Sequence, residues 1–414
     1  AMTIEFASNS GDSTSGMTRT YTCTDRDALI VAILDSARSL ANNKSIIVTN
    51  TRSAGYRLLG IPSTSAQVGD LFHPDPNQIQ CLRHLHQIAC AAVAYLDSYE
   101  YSSFDARRPV DVIEECDVVV EACQMFSANV KPAAAGILDG EKKIVCAVIE
   151  GLATLLVKLL GSSGGDDGDD HHRIRVDRVV TPLFQSLYRL CCTATGFRTA
   201  VESQAIRNAV QLVWNIGDTF AFYWAVMTFS ALLSRQGVDL SMVLEGDKEA
   251  EFVNKRVLLG LDGTVEGLVK ALLGQRGRNQ GYFVSDLVRM VVGSVLESIL
   301  CSNNSSTSPE HFSSFLMALS SHHRALMAMV ESQIPIIIEN TALILHILST
   351  RSPETARAIR EDSLSSSTIL HHFHLAIFSP LEGQRFLSRY LCSLWFSGPP
   401  DCQERRLLRR MLPI

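Results

Sequence analysis

The chain has 414 residues, of which 46% are hydrophobic and 19% are charged, and its formal net charge is −6. This composition excludes a disordered chain, and the length leaves room for two or three domains with a large buried core. Because no block of Lys and Arg is present, the sequence argues against nucleic acid as the main partner.

The first sixty residues differ from the rest of the chain. The stretches "MTIEF" and "TRTYTCT" are rich in β-branched and aromatic residues, and a turn-forming segment separates them, so two strands are predicted. A capped amphipathic helix follows, with Thr24 as N-cap and Asp27 at N3. Residues 45–60 then predict a strand, a turn and another strand. We therefore predict a small α+β module over residues 1–60 and a linker over residues 61–76.

From about Asn77 onward nearly every segment has helical periodicity. Ser308-Pro309 and Ser352-Pro353 each place a capping hydroxyl before a proline, which is typical of a helix start. Loops are predicted near residues 161–173, 274–281 and 302–308. The fourteen predicted helices are Asn77–Asp97, Pro109–Ala128, Glu141–Leu160, Ile174–Ala194, Phe197–Trp214, Thr219–Ser234, Lys248–Leu259, Tyr282–Cys301, Pro309–Val330, Ile334–Ser349, Pro353–Glu361, Ser366–Phe378, Glu382–Phe396 and Cys402–Met411.

Fourteen consecutive helices with short connections predict a mainly α fold, an irregular α-solenoid of the armadillo or HEAT kind over residues 77–414. No crisp repeat in sequence identity is visible, so an irregular all-α bundle stays as the alternative. The most apolar stretch, Ala209–Leu233, is long enough to cross a membrane. Gly217-Asp218 interrupts it, which indicates two short buried helices instead.

The eleven cysteines include no CxxC pair and most lie in apolar runs, which predicts buried free thiols and neither a disulfide nor a zinc framework. With no N-terminal signal segment, this cysteine usage favours a reducing, cytosolic location.

One tripeptide, His73-Pro74-Asp75, matches the sequence with which J domains activate the ATPase of a partner chaperone. In a J domain the preceding helix is basic. Here residues 60–72 contain no Lys or Arg, and they contain Gly, Pro and Ser where that helix should run. We interpret the match as a coincidence.

The histidine clusters are the remaining candidates for chemistry. His371 and His374 are three residues apart and could share a helix face as a metal pair, but no further ligand lies at a suitable spacing. The acidic run Gly165–Asp170 lacks the EF-hand pattern, and no nucleophile-elbow, Walker A or dinucleotide motif occurs. We therefore predict no catalytic, cofactor-binding or metal-ligating residue and no cofactor, so that the chain is not an enzyme. An all-α metal-dependent enzyme that uses His371 and His374 is the competing hypothesis.

Four stretches, taken together, resemble one protein family. They are "YTCTDRDALIVAILDSAR" (Tyr21–Arg38), "EAEFVNKRVLLG" (Glu249–Gly260), "STILHHFHLAIF" (Ser367–Phe378) and "GQRFLSRYLCSLW…RRLLRRMLP" (Gly383–Pro413). Their order and spacing are similar to those of the giant endosomal DnaJ-family proteins, named for receptor-mediated endocytosis in animals and for a gravitropism defect in plants.

This resemblance implies that residues 1–60 are the C-terminal part of a pleckstrin-homology-like module and that the helical remainder is an armadillo-like scaffold. It implies a peripheral location on early endosome membranes. The implied protein partners are retromer-linked sorting proteins and an Hsp70-type chaperone, which a J domain not matched here would recruit. A phosphoinositide is implied as well, bound by a pleckstrin-homology-like region most of which would lie upstream of Ala1. The matched portion resembles a fragment of such a protein. The alternative is an unrelated cytosolic armadillo or HEAT adaptor.

Overall fold

The computed structural model describes residues 2–6, 19–23, 78–102, 118–161, 170–214, 216, 220–234, 245–274, 282–301, 309–332, 334–361 and 387–393. Near the N-terminus, strands β1 (Met2–Phe6) and β2 (Arg19–Cys23) pair in antiparallel fashion, with Ile4 opposite Tyr21. Both strands were predicted from the sequence. The amphipathic helix, the later strands of the predicted module and the linker lie outside the described residues, so the pleckstrin-homology-like identity stays a prediction.

The rest of the described chain is helical, as predicted, and the mainly α, armadillo-like fold class is confirmed. A 3-10 helix, Pro132–Glu141, leads directly into α3, and another, Ala200–Glu202, follows α5. Residues 387–393 are also helical. The α-helices are α1 (Gln78–Ser102), α2 (Val118–Asn129), α3 (Lys142–Gly161), α4 (Asp170–Cys191), α5 (Ala194–Thr199), α6 (Gln204–Val213), α7 (Phe220–Ser234), α8 (Glu245–Leu259), α9 (Thr264–Leu273), α10 (Tyr282–Cys301), α11 (Pro309–Ser320), α12 (His323–Met329), α13 (Pro335–Arg351) and α14 (Pro353–Glu361).

Most of these helices form two stacks in chain order. In the first stack, α1 packs on α3, and α3 packs on α6. In the second stack, α2, α4, α7, α10 and α13 pack successively, each on the next. Helix α5 contacts α3 of the first stack and α4 of the second, whereas α8 packs on α5 and α7, and α12 packs on α13 and α14. Because each layer contacts mainly the layers beside it, the architecture is that of a solenoid.

Hydrogen bonds show that stacked helices run parallel. Between α4 and α7, Asp177 contacts Ala221 and Phe184 contacts Thr228, and both pairs are 44 residues apart. In the first stack, Cys146 of α3 contacts Thr199 at the end of α5, and Glu150 of α3 contacts Ser203, the N-cap of α6, with 53 residues separating each pair. The constant offset means that α4 and α7 run parallel, and that α3 runs parallel to residues 199–203, which lead into α6. The unequal offsets explain why no crisp repeat is visible in the sequence.

The apolar stretch that was long enough to cross a membrane is indeed two helices, α6 and α7, separated near Gly217-Asp218. Helix α7 is buried nearly all round, because α4, α8 and α10 pack against it. In the described part of the chain, one helical segment, Ile137–Gly161, is long and apolar enough to cross a membrane, and half of it is buried inside the protein. Its packing on α1, α4 and α6 accounts for that apolarity, since a core helix passes the same test.

Several predicted boundaries need correction. The predicted helix Phe197–Trp214 is instead α5, a 3-10 turn and α6, because Ser203 caps a new helix by accepting from Ile206 N. Similarly, Pro309–Val330 divides into α11 and α12. Residues 170–173, predicted as loop, are the first turn of α4. Helix α9 was missed altogether. The predicted helices Ser366–Phe378 and Cys402–Met411 lie outside the described residues.

Candidate functional site

Most of the residues singled out for chemistry lie outside the part of the chain that the structure describes. His73-Pro74-Asp75, His371 and His374 lie outside the described residues. His323 is described, and its Nδ1 lies 3.1 Å from the Ser320 carbonyl oxygen, which is a helix-end contact. Across the described ranges, no group of three or more His, Cys, Asp and Glu side chains is arranged to hold a metal ion.

Burial also keeps the core thiols unreactive. It raises the pKa of Cys123 to about 12, although the nearby Ser186 hydroxyl lowers it slightly, and it raises the pKa of Cys191 well above its ordinary value. A thiol acts as a nucleophile or metal ligand only as the thiolate, so these two side chains behave as small apolar groups.

One apolar cavity lies between α4, α6 and α7, and its volume is about 10 Å³. Leu187, Val210 and Phe229 are among the side chains that line it. Sites for small molecules usually have volumes of about 300–1,000 Å³. This cavity holds at most a single water-sized molecule and is a packing defect rather than a binding site.

The stacked layers offer a candidate surface for binding, and buried polar contacts fix how the layers pack. In the second stack, a side chain of one helix repeatedly donates to a main-chain carbonyl of the preceding helix. Ser186 donates to Cys123 O at 3.0 Å, and the Thr228 hydroxyl, which lies 2.9 Å from Trp224 O in its own helix, also approaches Phe184 O at 3.3 Å. Asn340 Nδ2 approaches Met290 O at 3.4 Å. Buried polar groups must be satisfied, so these bonds select one register between layers.

Carboxylates strengthen the same layering by capping helices in the next layer. Asp139 accepts from Ala194 N at 3.2 Å and from Thr195 N at 2.8 Å, at the start of α5. Asp177 accepts from Ala221 N at 2.7 Å, at the start of α7. The first N–H groups of a helix have no partner within that helix, so the carboxylate supplies one. Its negative charge also interacts favourably with the positive end of the helix dipole.

Helix α8 contributes two consecutive buried polar side chains. Asn254 Nδ2 donates to Phe197 O at 2.8 Å and to Leu232 O at 2.9 Å, thereby joining α5, α7 and α8. Lys255 is 1% exposed, and its Nζ lies 2.6 Å from Glu251 Oε1. Their neighbours Phe252 and Val253 point outward and are 39% and 43% exposed. One turn of α8 therefore both ties the layers together and presents apolar side chains to solvent.

The tryptophan that follows α6 of the first stack packs against α7 and α9. Trp214 follows α6, and its Nε1 lies 3.3 Å from Thr264 Oγ1 at the start of α9. Its ring meets the rings of Phe222 and Phe229 edge-on, at centroid distances of 6.3 and 5.7 Å. Gly267 of α9 lies directly against the indole, so that a Cβ there would be only 2.4 Å from Trp214 Cδ2.

No protein-family model matches the chain. No curated protein matches it either. Among solved structures it is similar to an engineered protein, with 18% identity over 68% of this chain and 92% of that chain, at a TM-score of 0.41. It is also similar to computationally designed armadillo repeat proteins for modular peptide recognition, with 15% identity over 63% and 91% of the two chains, at a TM-score of 0.38. At such scores, the fold assignment rests on the helix packing itself.

Proposed function

We propose that this chain is the non-enzymatic scaffold portion of an endosomal J-domain co-chaperone. Its role would be in endosome organisation, receptor-mediated endocytosis and traffic from endosomes to the lysosome or vacuole, or back to the cell surface. The observation that carries the scaffold part is the pair of helix stacks, the second of which has buried hydrogen bonds between α2 and α4, between α4 and α7, and between α10 and α13. A rigid, extended surface of this kind is what solenoid proteins use to bind other proteins.

The endosomal part of the proposal rests on the resemblance of four stretches to the giant DnaJ-family proteins. One of them, Glu249–Gly260, is wholly described, and it contains the Asn254-Lys255 pair that joins the layers. Packing accounts for these two residues, so the resemblance there supports a shared scaffold architecture. Fold alone does not fix function, and the endosomal role needs its own test.

The proposal assigns partners by class. An Hsp70-type chaperone would be recruited by a J domain beyond the matched portion, retromer-linked sorting proteins would bind the scaffold, and a phosphoinositide would be bound by the pleckstrin-homology-like region. The scaffold would then lie peripherally on early endosome membranes. The alternative is an unrelated cytosolic adaptor, which explains the stacks equally well because none of the contacts between layers depends on an endosomal role.

Sequencing the full transcript beyond both ends of this chain distinguishes the two. We expect the reading frame to continue upstream into further strands, and downstream to a basic helix followed by His-Pro-Asp. The tagged full-length protein should then colocalise with an early-endosome marker. If authentic start and stop codons bracket these 414 residues, or if the full-length protein is diffuse in the cytosol, the endosomal proposal is wrong and the adaptor remains.

A further inference from the structure

A cysteine and a histidine face each other on the solvent-exposed side of α1. Cys90 Sγ lies 3.5 Å from His86 Nε2, one helical turn away. Both side chains are accessible, since Cys90 is exposed and His86 is half-buried. They differ in this from Cys123, Cys191 and Cys192, which are buried in the core.

The separation of these two atoms matches the spacing required by a tetrahedral metal ion. Zinc binds thiolate sulfur at about 2.3 Å and imidazole nitrogen at about 2.0–2.1 Å. At a tetrahedral angle those bond lengths place the two donors about 3.6 Å apart. The observed distance of 3.5 Å is within about 0.1 Å of that value. The pair therefore needs no rotation of α1 and only small side-chain adjustments to chelate the ion.

The electrostatic surroundings are compatible with a cation. Arg83 is the nearest cationic residue on the exposed stripe of α1, one turn before His86. Its guanidinium lies 2.6 Å from the Glu141 carboxylate, which offsets its charge. Thiolate and imidazole together favour zinc or copper over magnesium or calcium.

We propose that His86 and Cys90 form a two-residue binding site for a thiophilic cation of the Zn²⁺ class, with water completing the coordination. On binding, the Cys90 thiol loses its proton to solvent, and the resulting thiolate and the neutral His86 Nε2 each donate an electron pair to the metal. One proton is released for each ion bound, so binding weakens as the pH falls. The ion would link two successive turns of α1 in the first layer.

Cobalt(II) is a suitable probe, because it gives a thiolate-to-metal charge-transfer band only when sulfur is a ligand. Titration of the full chain with cobalt(II), followed by displacement with zinc, should give one equivalent of this band. Cys90→Ser should abolish the band, and His86→Gln should weaken the association at least about tenfold. Cys392→Ser, at another exposed cysteine, should leave the charge-transfer band and the affinity for the metal unchanged. Far-UV circular dichroism confirms that each variant is folded.

The other outcomes overturn the proposal. A chain without a charge-transfer band would show that the approach of Cys90 to His86 is an ordinary hydrogen bond. A band that survives in Cys90→Ser would place the metal on another cysteine. Full affinity in His86→Gln would show that the histidine is not a ligand.

Discussion

The contact between Gly267 and Trp214 allows a sharp test of the packing between layers, through the substitution Gly267→Ala. Within a helix, alanine is ordinarily more stable than glycine by about 0.5–1 kcal/mol. Here the new methyl group would lie 2.4, 2.5 and 2.8 Å from Trp214 Cδ2, Cε3 and Cγ. Favourable carbon–carbon contacts are at about 3.5–4.0 Å, so the ring or α9 has to move.

Trp214 has little freedom to move, because Phe222 and Phe229 lie against it and Thr264 accepts from its Nε1. Overpacking in a filled core costs about 1–3 kcal/mol. After subtraction of the helix-propensity gain, we expect Gly267→Ala to lower the free energy of unfolding by about 1–2 kcal/mol.

Two measurements check this expectation. Urea denaturation followed by tryptophan fluorescence gives the change in stability, and hydrogen exchange over α9 shows whether opening is local. Gly140→Ala is the control, because a Cβ there has nothing within 4 Å. Combining Gly267→Ala with Trp214→Phe should give less destabilisation than the sum of the single changes, since the two positions touch. If Gly267→Ala is as stable as the wild type, or if the two changes are additive, the close approach is absent and the reasoning fails.

Three further predictions follow from buried groups. Asn254→Leu removes the two hydrogen bonds that Asn254 donates to Phe197 O and Leu232 O, and it should lower the free energy of unfolding in urea by about 2 kcal/mol. Glu249→Ala, at an exposed position of the same helix, should be neutral. Alkylation of the folded chain at pH 8, followed by mass spectrometry, should label exposed Cys392 and spare Cys123, because burial raises the pKa of Cys123 to about 12. Equal labelling of the two thiols would contradict the burial of Cys123. Burial lowers the pKa of His346 in the folded chain. The contribution of neutral His346 to stability is therefore complete above about pH 6.5 and is lost as the pH falls through the folded-state pKa. His346→Gln should reduce this loss of stability in acid, and an unchanged pH profile would rule out His346 as its source.

Hydrophobic periodicity predicted the helices correctly where they are long, or where residues such as proline and glycine mark their ends. Pro309 and Pro353 begin α11 and α14 as predicted, and α6 and α7 are separate helices, the first ending at Val213 and the second beginning at Phe220. Helix α9 escaped prediction because it is only ten residues long, lies between two glycines of positive φ, and contains Gly267. A glycine inside a short apolar segment lowers the expected helix propensity. The reason for that glycine is Trp214, which lies more than fifty positions earlier in the sequence.

The polar contacts between layers could not be predicted for a similar reason. Asn254 and Lys255 look like solvent-facing residues in a sequence with alternating charges, but both are buried. Asn254 can be buried because it donates to carbonyl oxygens of α5 and α7, and Lys255 can be buried because it forms an ion pair with Glu251. Tertiary partners decide such positions, and a local pattern carries no information about them. The His86–Cys90 pair, by contrast, is an i,i+4 spacing that a sequence can reveal once α1 is recognised.

The unequal offsets between stacked helices also bear on how the protein would respond to mechanical load. Thr228 reaches back 44 residues to Phe184, and Ser203 reaches back 53 residues to Glu150, yet each bond spans only one layer boundary. Tension applied between distant points along the chain would therefore be borne by one boundary after another, rather than by all of them together. Extension would proceed in steps, with a length of released chain that differs from step to step.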